Sequence, residues 1–172
     1  QLECGKENII HNYLASNGID AESMKLYMKF SPLKGVSVNG EISKFSNGDI
    51  ELDSLKIMTT QFGDTIDYSI GINDITLTSI EEKNSYNATL AGRVSNSIVI
   101  GEFFLHDNVS KLDNKIGATA HFTPQNICLS FDKEALLLGK PFMFNSGNYI
   151  KVGKGMSLET DVVLKNNDIS GF

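Results

Sequence analysis

The sequence predicts an all-β fold: a mostly antiparallel, strongly curved sheet, as a U-shaped groove or a split barrel or sandwich, with a short N-terminal helix. Three observations carry this prediction. Apolar residues alternate with polar ones at period two in tract after tract, as in Met24-Leu26-Met28-Phe30, Val36-Val38-Gly40-Ile42, Tyr86-Ala88-Leu90-Gly92-Val94 and Ile116-Ala118-Ala120-Phe122. Residues tolerant of positive φ separate the tracts, and helical spacing is almost confined to the start of the chain.

Taken in order, Ile9, Ile10, Tyr13 and Leu14 recur at helical spacing and Asn17-Gly18 supplies a stop, which predicts a helix from Glu7 to Ser16. Residues 1–20 are expected to form this lead-in, and 21–172 a single β domain that is a section of a longer chain. Strands are expected over Met24–Phe30, Val36–Phe45, Ile50–Thr59, Thr65–Leu77, Tyr86–Ser95, Ile98–His106, Lys115–Phe122, Ile127–Phe131, Tyr149–Val152 and Met156–Leu164. Turns are expected at Asn47-Gly48-Asp49, Phe62-Gly63-Asp64, Asp107-Asn108, Asp113-Asn114, Ser146-Gly147-Asn148 and Gly153-Lys154-Gly155. Connections this short pair neighbours antiparallel, because a parallel crossover needs a dozen or more residues. Glu134–Gly139 is the later segment expected to form a helical turn, placing Leu136, Leu137 and Leu138 over an end of the sheet. Gly40, Gly71, Gly92, Gly101 and Gly117 fall inside strands, where glycine signals a bend, a bulge or a close approach.

Composition narrows the function. The chain of 172 residues is 41% hydrophobic and 21% charged, with 15 basic residues against 21 acidic ones, a net charge of -6 that disfavours nucleic acid and other polyanions. Of its two cysteines, Cys128 lies in a strand-like run and is expected to be a small buried thiol. His11, His106 and His121 have no ligand spacing, so no metal site is expected. Glu81-Glu82 and Asp64 with Asp67 sit beside turn-like residues and read as solvated charges; no catalytic residue and no cofactor is predicted.

The second half carries a strand grammar: Ile116-Gly117-Ala118-Thr119-Ala120, then Leu138-Gly139-Lys140-Pro141-Phe142-Met143-Phe144-Asn145, then Asn148-Tyr149-Ile150-Lys151-Val152-Gly153. Together with Tyr13-Leu14-Ala15-Ser16-Asn17-Gly18 leading into Met24–Phe30, it resembles the TamB-like (AsmA-like) envelope proteins of the Bacteroidetes. The resemblance implies a periplasmic section of a bridge whose parent chain is anchored in the inner membrane. It implies that lipid acyl chains lie in an apolar groove, and that an outer-membrane assembly barrel protein is a partner. The departures from that pattern are its length of 172 residues and the absence from them of any run approaching the roughly 20 apolar residues of a membrane span.

Carried onto the alternating tracts, the expected groove lining is Leu26, Met28, Phe30, Val36, Val38, Ile42, Ile70, Ile72, Leu90, Val94, Ile116, Ala118, Phe122, Leu129, Phe131, Ile150, Val152, Leu158 and Val162. The competing expectation is that these residues fill the core of a closed β-sandwich, an interaction module presenting Tyr68, Tyr86 and Tyr149 near its turns to protein or glycan. Open edge strands are expected to favour self-association in either case.

Overall fold

A computed structural model describes residues 2–4, 8–32, 35–77 and 84–166. It is all-β and mostly antiparallel, with one short helix, and its strands belong to a single open sheet that does not close into a barrel. Strand β1 (Leu2–Cys4) precedes helix α1 (Ile9–Ser16), which ends in the predicted glycine cap with Gly18 at φ 75°. The alternating tracts then form β2 (Ser23–Ser31), β3 (Gly35–Ser46), β4 (Ile50–Phe62), β5 (Thr65–Leu77), β6 (Ser85–Ser95), β7 (Ile98–Asp107) and β8 (Asp113–Phe122), each paired antiparallel with the next.

Beyond β8 the meander continues, but each rung is broken in two. Strands β9 (Asn126–Phe131) and β10 (Glu134–Leu137) both lie against β8. Next come β11 (Lys140–Phe144) on β10 and β12 (Tyr149–Gly153) on β9. Last are β13 (Leu158–Asp161) on β12 and β14 (Leu164–Asn166) on β11. The interruptions at Asp132-Lys133, Asn145–Asn148 and Val162-Val163 line up as a seam across the three rungs.

Four expectations are corrected here. Glu134–Leu137 is a strand, not a helical turn: its carbonyls and amides pair with β11, and Leu138 (φ 51°) with Gly139 (φ 72°) closes a two-residue hairpin. Asp113-Asn114 opens β8 instead of turning the chain, since the preceding turn is closed further upstream by Lys111 N–H donating to Asp107 O at 2.9 Å. Ser146-Gly147-Asn148 is no hairpin, because β11 and β12 run on as halves of one rung. Met156–Leu164 is likewise not one strand: Lys154–Met156 is a 3-10 turn and β13 and β14 follow separately.

The sandwich core is also absent among the described residues. Ala21, Ala135 and Phe144 are the buried apolar residues, and no large side chain is fully buried. The accessible surface is 11786 Å², against about 8300 Å² for a globular protein of this mass. A single layer explains the excess.

Candidate apolar face

Directly paired residues on neighbouring strands point to the same side, so the registers assign a face to every strand residue. One row runs Leu26, Gly40, Ile57, Ile70, Leu90, Phe103, Ile116 across β2–β8. Its neighbours on the same face are Met24, Ile42, Leu55, Ile72, Ala88, Leu105, Asn114 on one side and Met28, Val38, Thr59, Tyr68, Gly92, Gly101, Ala118, Phe131 on the other. A fourth row runs Phe30, Val36, Gln61, Ile66, Val94, Val99, Ala120, Leu129, Ile150. Phe122, Ile127, Val152 and Leu158 continue this face beyond it.

None of these rows contains a charged residue. All the expected lining residues lie in them except Val162, which sits in the seam between β13 and β14. Many are substantially open to solvent: Met28 is 65% exposed, Phe30 73% and Leu158 68%. Shallow hollows lie along the face, one of ≈ 230 Å³ bounded by Met24, Leu26, Gly40, Ile42, Leu55 and Ile57, with Lys25 and Glu41 at its margin. Another of ≈ 200 Å³ crosses five strands between Tyr68 and Leu129, over Leu90, Phe103 and Ile116.

Tyr68 is not near a turn, as the interaction-module reading expected, but in mid-strand. It pairs with Gly92, which pairs with Gly101, and its hydroxyl donates to Ile100 O at 3.2 Å. A Cβ on Gly92 would collide with Ile100 O and the Tyr68 hydroxyl, and one on Gly101 would lie 2.8 Å from that hydroxyl. The two glycines thus make room for an aromatic ring laid over the sheet, which covers backbone that would otherwise be bare.

The opposite face is polar. Lys25, Glu41 and Lys56 form a cross-strand row, with Lys25 3.5 Å from Glu3 and Lys56 3.6 Å from Glu41. Asp67 bonds Arg93 at 2.6 Å, and this hydrogen bond holds the carboxyl below its ordinary range. Glu102 and Lys115 meet at 2.7 Å. Tyr149 donates to Glu159 at 2.7 Å, which lowers the Glu159 carboxyl, with help from Lys151, and raises the phenol. Such exposed pairs contribute little stability each, but they keep this side wet. Across β2–β8, Tyr27, Met58, Phe62, Ile98 and Ile100 are its exposed apolar exceptions.

Nothing in the described residues gathers three metal-ligating side chains. His106 bonds Asp113 at 2.6 Å, His11 lies 3.9 Å from Asp20, and His121 is exposed on the polar face opposite Cys128. Cys128 is a free thiol and only half-buried, a correction to the buried thiol expected, because its strand has water on that side. Asp64 lies exposed in the β4–β5 turn, and Glu81-Glu82 lie outside the described residues.

Sequence reasoning missed Leu55, Ile57, Val99, Phe103 and Leu105. Ile57-Met58 and Phe103-Phe104 put two large apolar residues side by side, so either parity fits; the pairing of Ile57 with Gly40 and Ile70 decides it. Comparison of the chain with protein-family models, curated proteins and solved structures finds no match.

Proposed function

We propose that this chain holds lipid acyl chains against its apolar face, without catalysis, as a periplasmic section of a longer envelope protein anchored in the inner membrane that supports outer-membrane biogenesis. The observation that carries the reading is an uncharged face, four rows deep across β2–β8, with no covering layer among the described residues.

Magnitudes favour reversible holding. Six inter-strand steps of about 4.8 Å make each row about 29 Å long, close to the hydrocarbon thickness of a bilayer and ample for one acyl chain. Full burial of a 16-carbon chain is worth on the order of 10 kcal/mol at about 0.8 kcal/mol per methylene, and an open face contacts roughly half of it. About 5 kcal/mol before ordering costs suits transfer better than storage. The absence of charge from the rows also argues for tails over headgroups as the occupant.

Delipidated protein is expected to bind a fluorescent fatty-acid probe, and unlabelled phospholipid to displace it. A protein that binds neither this probe nor an environment-sensitive apolar dye would overturn the reading.

A further inference from the structure

At one end of the sheet the β7–β8 turn and the β10–β11 turn join into a single tip. Leu138 N–H donates to Asn114 Oδ1 at 2.8 Å and Gly139 N–H donates to Asp113 O at 2.9 Å. Leu112 packs so near that a Cβ on Gly139 would lie 3.1 Å from its Cδ2. Three aliphatic side chains project here into solvent: Val109 is 60% exposed, Leu112 38% and Leu138 67%.

Leu138 is out of place by local chemistry. It occupies the first central position of a two-residue hairpin loop at φ 51°, where Asn, Asp or Gly is favoured and leucine is strained. Its exposure means that little packing within the chain offsets the strain.

Two acids and two lysines lie nearby, and among the described residues only the acids have local partners. The Asp107 carboxylate accepts hydrogen bonds from Val109 N–H, Ser110 N–H and the Ser110 hydroxyl, and Asp113 is engaged by His106. Lys111 and Lys140 are exposed and have no ion-pair partner among the described residues. Aliphatic side chains between free ammonium groups, with the nearby acids turned into local bonds, match the headgroup boundary of a bilayer. The tip is also continuous with the apolar face, since Asn114 ends the row that runs through Leu105 and Ala88.

We infer that this tip docks on a lipid bilayer, Val109, Leu112 and Leu138 entering the acyl boundary while Lys111 and Lys140 meet lipid phosphates. The inference stands apart from acyl-chain holding, because a tip can dock whether or not the face carries a lipid.

The chain has no tryptophan, so Leu138→Trp gives a clean reporter. Its emission is expected to shift to the blue on adding vesicles of phosphatidylcholine with phosphatidylglycerol, and to be quenched by acyl-brominated lipid. Leu138→Asn suits the turn better, so it should keep or raise the melting temperature while lowering vesicle co-sedimentation about tenfold. Binding of the fatty-acid probe should be unchanged in that variant, which separates failure here from failure of the proposed function. Unchanged co-sedimentation of Leu138→Asn overturns the inference, as does a blue shift that depends on protein concentration and not on vesicles, which would mark a contact between copies.

Discussion

The side-chain amide of Asn148 supplies Phe131 with both hydrogen bonds that a neighbouring strand would have made: its Oδ1 accepts from Phe131 N–H at 2.7 Å, and its Nδ2 donates to Phe131 O at 3.0 Å. The same Nδ2 donates to Asn145 O at 3.1 Å. Asn145 does the corresponding work on the other side, its Oδ1 accepting from Val163 N–H at 2.8 Å. Two asparagines therefore close the seam where three rungs lose their ladder, and Phe131 stacks on Phe144 beside it with ring centroids 4.8 Å apart. Without these side chains the broken rungs would leave buried backbone groups unpaired.

Asn148→Ala is accordingly expected to cost about 2–4 kcal/mol, because the side chain is buried and its removal orphans Phe131 N–H and O together. Urea denaturation measures this. Asn145→Ala should cost less, since its bonds are exposed to competing water.

Gly92→Ala should destabilise by about 1–3 kcal/mol, the usual penalty for forcing a methyl group into filled space, here against Ile100 O and the Tyr68 hydroxyl. Gly71→Ala is the control. Nothing lies within 4 Å of its would-be Cβ, so relief of backbone freedom should stabilise by about 0.5 kcal/mol. Equal effects of the two substitutions on thermal unfolding would contradict the assignment of Tyr68 to the Gly92–Gly101 pair.

Leu90→Glu places a charge in the centre of the apolar rows, whereas Thr89→Glu places one on the next residue but the opposite face. Fatty-acid probe affinity is expected to fall at least about tenfold for the first, because an acyl chain laid there would strip water from the carboxylate. It should change by less than about twofold for the second. Titration of the probe by fluorescence distinguishes them.

The Tyr149–Glu159 bond predicts a pH window. The Glu159 carboxyl is held low first by the Tyr149 hydroxyl and then by Lys151, so its contribution is complete above the ordinary carboxylate range and disappears as pH falls through its folded value. The Tyr149 phenol is held high by Glu159, so its contribution is complete below the ordinary phenol range and disappears as pH rises through its own. Tyr149→Phe should move the Glu159 titration, followed by carboxyl-carbon NMR, upward toward the ordinary value. No movement would mean that Lys151 alone sets it.

Much of this fold was legible because the pleat writes itself locally. Leu26, Met28 and Phe30 share a face whatever they pair with, and the same holds for Ile116, Ala118 and Phe122. Where neighbours are both apolar, as at Ile57-Met58, or where three leucines run together at Leu136–Leu138, no local period exists and the partner strand decides. The Leu136–Lys115 pairing makes that segment a strand. The seam was equally hidden, since Asn145 and Asn148 look like hairpin-turn residues until Val163 and Phe131 are found beside them.

Alternation alone determined that one side of these strands is apolar, because side-chain direction follows from each residue's place in its own strand. Whether that side is filled by a second layer or left open was decided only in three dimensions. The number of layers depends on where successive rungs come to rest, and here each rests beside the last in one sheet instead of turning back over it.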